Sequence, residues 1–463
     1  MSTALKTISP IDGSVYVERP FASSVDIQST LEKATTAHKA WKKIPLAERK
    51  AICTKAIDAF VAKKDEIAEE ITWQMGRPIR SAAGEVNGTE ERARKMIDLA
   101  DTGLATIKIA DKPGFKRWIQ REPVGVVLVI APWNYPYLTA INAVLPAILA
   151  GNSVILKHSA QTPLCAERLV EAFKAGGLPD GVFEYLHLTH QDTETVIKDE
   201  HINYVAFTGS VPGGKMVENA VVGRFIGIGL ELGGKDPAYV RADADMVSSV
   251  DTTMDGAFFN SGQSCCGIER IYVHEAVYDD YIKQAVEWVN KLKLGRSDDP
   301  ETTLGPLVRA SAADFVRAQT QEAIKQGAVP LITANESSLD QSGSPYLAPQ
   351  ILTEVNHSMR VMTEESFGPI VGIQKVSSDE EAIALMNDSE FGLTAAIFTS
   401  NIDEGIALGQ QLDTGTFFIN RCDYLDPDLA WTGVKNSGHG CTLSVLGFES
   451  LTRPKSFHIK TAI

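Results

Sequence analysis

Val124-Gly125-Val126-Val127-Leu128-Val129-Ile130-Ala131-Pro132-Trp133 is the stretch whose reading decides the fold. Its apolar residues do not alternate with polar ones, which is the pattern of a strand buried on both faces. A helical pattern at 140–151 ends on Gly151, and the strand SVILK follows at 153–157. The series goes on with a helix at 164–176, a strand at 182–188, a short helix at 192–198, the strand NYVAFTG at 203–209 and a helix at 214–222. Buried strands alternating with helices predict an α/β fold around a parallel sheet. Such sheets bind ligands at the carboxyl ends of their strands.

Outward from that core, three helical patterns at 25–44, 46–75 and 79–104 precede the sheet. A second α/β series follows Glu231, with strands at 236–240, 270–273, 371–376 and 395–399 and helices at 278–292, 309–326 and 379–387. Ser378 and Glu381 read as a capping box for the last of these. Residues 106–120, with Pro113 and Gly114, read as an exposed hairpin able to pair with another subunit. At 463 residues the chain exceeds one domain of ~100–200 residues, and two α/β units imply a cleft between them.

Composition closes off several classes. Lys and Arg number 44 against 59 Asp and Glu, a net charge of −15, which argues against nucleic acid or an anionic membrane as main partner. The first residues lack the apolar segment of a signal peptide. The apolar stretches 124–131 and 143–150 fall short of the ~18–20 residues that span a bilayer. Six cysteines without a CxxC pair predict no disulfide framework and a cytoplasmic setting. His187 and His190 are the nearest approach to a ligand pair, so no metal is implied.

Three segments carry chemistry. In Phe258-Phe259-Asn260-Ser261-Gly262-Gln263-Ser264-Cys265-Cys266-Gly267, glycines allow close approach to Cys265 and local N–H groups favour its thiolate. An isolated cysteine is otherwise a small buried hydrophobe. Leu230-Glu231-Leu232-Gly233-Gly234-Lys235 sets a carboxylate at an apolar strand end, where desolvation lifts it towards general-base range. Pro132-Trp133-Asn134-Tyr135-Pro136 holds an amide between prolines, suited to donate to an oxyanion.

Together these segments resemble the NAD(P)-dependent aldehyde dehydrogenase superfamily. The separation of Glu231 and Cys265 matches that family's base and nucleophile. So do Phe207-Thr208-Gly209-Ser210, Glu364-Glu365-Ser366-Phe367-Gly368-Pro369 and Gly433-Val434-Lys435-Asn436-Ser437-Gly438, in the same order along the chain. The resemblance implies that Cys265 attacks an aldehyde, Asn134 and the Cys265 N–H hold the oxyanion, hydride passes to NAD(P)+, and Glu231 activates water to release the acid. It implies further that Lys157 contacts the adenosine ribose beside Ser159 and Ala160, and that Gly209, Ser210 and Gly214 meet the pyrophosphate at a helix N-terminus. Glu365 would hold the nicotinamide ribose, with Phe367 and Trp133 beside it. The implied division is a cofactor-binding domain of 1–102 and 124–233, a catalytic domain of 234–440, and a bridging element of 103–123 and 441–463 through which subunits form a homodimer or homotetramer.

No GxGxxG opens a βαβ unit. Gly209 to Met216 does satisfy GxxxxGK, a rival P-loop NTPase reading, but Met216 removes the hydroxyl that would ligate Mg²⁺. A CoA-acylating relative would normally lack a glutamate like Glu231. Ala160 stands where strict NAD users of the family commonly carry Glu, so NADP+ acceptance is expected. Asn142 stands where succinate-semialdehyde members usually carry Arg. Tyr135, Leu138, Phe259, Tyr424, Leu425 and Trp431 give an aromatic, largely neutral pocket that favours an aliphatic or aromatic aldehyde. Arg421 is the candidate partner for a carboxylate if the substrate is a semialdehyde. Trp431 and Cys441 also depart from the family pattern.

Overall fold

A computed structural model of the chain describes residues 4–333 and 338–461. The antiparallel pair β1 (Ala4–Ile8) and β2 (Val15–Pro20) comes first. Helices α1 (Ser24–Trp41), α2 (Leu46–Val61), α3 (Lys64–Met75) and α4 (Ile79–Gly103) follow. The single helical pattern expected at 46–75 is thus two helices. Lys63 leaves helical geometry, and Asp65 and Glu66 open a new first turn, where carboxylates oppose the helix dipole favourably.

The hairpin expected at 106–120 is present as β3 (Ile107–Lys108) and β4 (Phe115–Pro123). The alternating series is β5 (Val126–Ala131), α5 (Pro136–Ala150), β6 (Ser153–His158), α6 (Pro163–Ala175), β7 (Phe183–Tyr185), α7 (His190–Lys198), β8 (Ile202–Thr208), α8 (Val211–Ala220) and β9 (Gly227–Glu231). The second series opens with β10 (Asp236–Val240), α9 (Met246–Phe258), β11 (Ile268–His274), α10 (Tyr278–Val289) and α11 (Ala310–Lys325). It goes on through β12 (Val329–Pro330), β13 (Gln350–Thr353), α12 (Arg360–Thr363), β14 (Ile370–Val376), α13 (Asp379–Asn387), β15 (Phe391–Gly392) and β16 (Thr394–Phe398). The chain closes with α14 (Ile402–Gly409), β17 (Thr416–Ile419), β18 (Val434–Lys435), β19 (Gly438–His439) and β20 (Thr452–Lys460). At α13 the Ser378 hydroxyl accepts from the Glu381 N–H, but the Glu381 carboxylate reaches back to Ser377, so the box is displaced by one residue.

One sheet has the order β19-β9-β8-β5-β6-β7 and the other β12-β13-β14-β11-β10-β16-β17. All ladders in both are parallel except those of β19 and β12. In the first sheet the order reverses between β5 and β8, so a crevice opens beyond their carboxyl ends, at Pro132–Asn134 and Gly209–Ser210. The segment carrying β19 returns to pair with Glu231 on β9 although it follows the second sheet in sequence. The β4 strand pairs along its length with β20 and joins β3 in a separate three-stranded sheet. The expected α/β fold with two parallel sheets and a small β element is therefore the observed one.

Close packing fixes how the helical layer meets the first sheet. A Cβ at Gly176, just beyond α6, would lie 2.6 Å from the Ala56 backbone nitrogen on α2. Backbone cannot step aside as a flexible side chain can. Gly176→Ala is expected to lower stability by about 1–3 kcal/mol, in the range of overpacked sites, read as a lower urea midpoint.

Candidate active site

Asn260 and Ser261 both have left-handed backbones, with φ of 53° and 57°, and Gly262 follows at 71°. This turn carries the chain from the end of α9 to Cys265. Ser261 is held by its hydroxyl donating to the Gly305 carbonyl at 2.9 Å. Gly262 is required twice over: its φ disfavours a side chain, and a Cβ would sit 2.2 Å from the Gly368 carbonyl oxygen. The Cys265 loop and the Glu365–Gly368 segment are thereby pressed together.

Glycines also bring the carboxylates in. A Cβ on Gly233 would lie 2.3 Å from Glu365 Oε1, and one on Gly234 would lie 2.5 Å from the Cys265 carbonyl oxygen. The Gly234 N–H donates to Glu365 Oε1 at 3.1 Å. Burial, with Glu269 nearby, pushes the Glu365 carboxyl up to about 8. Burial likewise pushes Glu231 above the usual carboxylate range, against hydroxyl bonds from Thr442 and Thr208 and the charge of Arg92.

A buried clasp sets Asn134. Arg77 donates to the Glu85 carboxylate, to the Asn134 carbonyl and, at 3.1 Å, to Asn260 Oδ1. The Arg77 and Glu85 side chains are 2% and 0% exposed. Glu85 Oε1 accepts the Tyr137 and Leu138 N–H groups at the start of α5, in place of a side-chain cap. Asn134 Nδ2 points at the Gln263 carbonyl, 3.2 Å away, beside the Cys265 loop.

Two cavities meet here. The first, of about 410 Å³, is lined by Trp133, Asn134, Gly209, Ser210, Glu365 and Phe367 among others. The Trp133 and Phe367 rings stand edge to face with centroids 5.6 Å apart. The second, of about 310 Å³, is lined by Tyr135, Leu138, Asn142, Phe259, Tyr424, Leu425 and Trp431. Thr139, Thr208, Glu231 and Cys265 line both.

Lys157, Ser159 and Ala160 lie outside the first cavity, at the end of the neighbouring strand β6, where burial lowers Lys157 to about 8. Ser210 caps α8, its hydroxyl accepting from the Gly213 N–H at 3.3 Å, and Gly214 packs against Leu232 inside the first turn. The helix begins at Val211, so no long loop wraps a phosphate and the P-loop reading fails. Gly233-Gly234, the Ser210-capped helix and Glu365, whose Oε2 has no partner among the described residues, leave a polar-edged slot of a size suited to a nicotinamide and its ribose.

The second cavity is less neutral than its aromatic residues predict. Arg92, 9% exposed, lines it together with Glu91, Asp255 and Asp423. Arg92 donates to the Leu138 carbonyl at 2.9 Å and to Asn142 Oδ1 at 3.3 Å, and has no ion pair among the described residues. Arg421 does not line the cavity; its guanidinium lies over the Tyr424 ring at 3.6 Å from the centroid. Asp423 accepts from the Ser264 hydroxyl at 2.9 Å and the Cys266 thiol at 3.0 Å, and burial raises it to about 6. Lys235 pairs with Glu269 at 2.6 Å, and Glu269 in turn accepts the Ser366 and Phe367 N–H groups, holding the loop that carries Glu365. No motif marks Arg92, Asp423 or Glu269. Their sequence neighbours, such as Glu90, Glu91, Arg94 and Lys95 around Arg92, do not set them apart.

Two parallel sheets enclosing a cleft where a thiol, a carboxyl and an amide converge define a two-lobed α/β enzyme. The sequence profile of the aldehyde dehydrogenase family matches residues 1–457, and the chain belongs to that family, as the resemblance led one to expect. It is 33% identical over 449 residues to a succinate-semialdehyde dehydrogenase (NADP+) of Deinococcus radiodurans, covering 97% of this chain and 93% of the relative. It is 32% identical over 446 residues to a succinate semialdehyde dehydrogenase (NAD(P)+) of Escherichia coli strain K12, covering 96% and 95%. The crystal structure of succinic semialdehyde dehydrogenase from Streptococcus pyogenes with NADP+ superposes with a TM-score of 0.94 at 30% identity, over 99% of this chain and all of that one.

The clasp is open to test. Glu85→Ala leaves Arg77 a buried cation without its carboxylate, and is expected to cost about 3–5 kcal/mol in urea unfolding. Glu85→Gln keeps an acceptor for the start of α5 and should cost less.

Proposed function

We propose that the protein oxidises an aldehyde to its carboxylic acid with NAD(P)+, with Cys265 as nucleophile, Glu231 as the base for hydrolysis and Asn134 as oxyanion donor. The carrying observation is that Cys265 and Glu231 lie where the two cavities meet. The Cys265 thiolate adds to the aldehyde carbon, and the Asn134 amide and the Cys265 N–H stabilise the oxyanion of the thiohemiacetal. The bound dinucleotide supplies the acceptor for the hydride that leaves this carbon. The thioester left on Cys265 is attacked by water as Glu231 takes its proton, which frees the acid and the thiol.

In this reading Glu365, Trp133 and Phe367 border the nicotinamide end, Gly209, Ser210 and Gly214 the pyrophosphate, and Lys157 with Ser159 the adenosine ribose. Ala160 presents no carboxylate against a 2′-phosphate. The relatives named for NADP+ or NAD(P)+ support use of both cofactors. The two sheets support a division into 1–102 with 124–233 for the cofactor, 234–440 for catalysis, and 103–123 with 441–463 as the bridge, with β19 (Gly438–His439) reaching across from the second range to join the first sheet. Unpaired outer edges of β3 and β20 among the described residues support assembly as a homodimer or homotetramer through that bridge. Six free cysteines fit a cytoplasmic enzyme.

Two substrate readings divide the second cavity. Its aromatic wall favours a neutral aliphatic or aromatic aldehyde. Arg92, buried and without an ion pair among the described residues, favours a short semialdehyde whose distal carboxylate it would receive at Asn142, and the named relatives point the same way. We adopt the semialdehyde reading, because a desolvated guanidinium gains most from a carboxylate.

Cys265→Ala is expected to abolish turnover with every aldehyde while dinucleotide binding, followed by protein fluorescence, persists; retained turnover would refute the nucleophile. Arg92→Gln is expected to lower kcat/KM for succinate semialdehyde by about tenfold or more, the scale of one charged hydrogen bond, with little change for hexanal. Equal losses for both substrates would return the pocket to the neutral reading.

A further inference from the structure

Both oxygens of the Glu231 carboxylate accept hydroxyl hydrogen bonds. Thr442 donates to Oε1 at 2.6 Å and Thr208 to Oε2 at 3.0 Å. Thr208 ends β8 directly opposite Glu231 in the parallel ladder. Thr442 comes from the other end of the chain. It follows β19, whose Gly438 is registered against Glu231, so the pairing of β19 with β9 brings the C-terminal segment to the base.

Thr442 is itself fixed on its far side. Trp431 N–H donates to the Thr442 carbonyl at 2.9 Å, and Thr442 N–H donates to the Trp431 carbonyl at 3.0 Å. Trp431 is 4% exposed and forms part of the wall of the substrate cavity. A continuous set of contacts therefore runs from that wall through Thr442 to the Glu231 carboxylate. Behind the carboxylate, a separate cavity of about 30 Å³ is lined by Glu231, Thr208, Thr442, Tyr204 and Ser450, enough space for one water.

We propose that Thr442 is a positioning residue for the hydrolytic step: it fixes the Glu231 carboxylate and ties its orientation, through Trp431, to the substrate wall. This rests on the assignment of Glu231 as the base. A carboxylate has about four lone-pair sites, so the two hydroxyls orient it and still leave room for the attacking water. Hydroxyl donation also favours the ionised form, opposing the burial that favours the acid. With Thr442 lost, only the Thr208 hydroxyl and the charge of Arg92 oppose burial, and the carboxyl protonates at a higher pH.

The test needs no dinucleotide. With 4-nitrophenyl acetate, the Cys265 thiolate attacks the ester carbonyl, the C–O bond breaks and nitrophenolate leaves, giving an acetyl thioester. Water then adds as Glu231 accepts its proton, releasing acetate and regenerating the thiolate. Thr442→Val is expected to retain a nitrophenolate burst of about one per site while the steady rate falls on the order of tenfold. Its acid limb should move up by about one pH unit, the effect of one charged hydrogen bond. Thr442→Ser, which keeps the hydroxyl, should restore both the rate and the limb.

A Thr442→Val enzyme with unchanged steady rate and acid limb overturns the proposal, as does a Thr442→Ser enzyme as impaired as Thr442→Val. Loss of the burst in Thr442→Val overturns it too, since the effect would then lie in acylation. A burst that survives Cys265→Ala brings down the nucleophile assignment instead, so the two failures are distinct.

Discussion

One buried cation organises the cleft. Arg77 sits just before α4 in the first lobe, yet its guanidinium reaches the Asn134 carbonyl, the Glu85 carboxylate and the Asn260 side chain together. Asn260 belongs to the turn that presents Cys265, so a single planar fork holds the amide loop of one lobe against the thiol loop of the other. Five fixed N–H donors suit that task; a lysine offers a point charge on a flexible stem and lacks the fork. The cost of burying the charge is offset only because each neighbour is also satisfied. Glu85 takes two N–H groups of α5, and Asn260 Nδ2 donates to the carbonyls of Asn134 and Gln263.

The strained turn at Asn260–Gly262 belongs to the same arrangement. Non-glycine residues in the left-handed region cost of order 1–3 kcal/mol each. They persist here because Ser261 is tied to Gly305 and Gly262 is pressed against Gly368. The chain thereby turns sharply enough to leave Cys265 partly open to the cleft while Cys266, its neighbour, is buried against Asp423. Adjacent thiols are thus given opposite environments by one reversal of backbone direction.

Much of this was legible in the sequence, for a physical reason. Buried parallel strands announce themselves as apolar runs, and catalytic groups of such sheets gather where the strands end, so Asn134, Gly209 and Glu231 could be placed from local context. Arg92 could not. Its position within the 79–104 helical pattern reads like any solvated helix residue, and only packing against α5 turns it inward. Thr442 escaped for a different reason: nothing local links it to Glu231, and the register between β19 and β9 spans the whole second lobe. The break between α2 and α3 was hidden because the hydrophobic period runs on through Lys63.

The two cavities touch only through Thr139, Thr208, Glu231 and Cys265, with otherwise separate linings. In the proposed reading each reactant has its own vestibule, and the two meet only at the junction that holds Cys265 and Glu231. In that reading an acid formed at the sulfur would leave along the aromatic wall of Tyr135, Phe259 and Trp431, away from Trp133, Glu365 and Phe367.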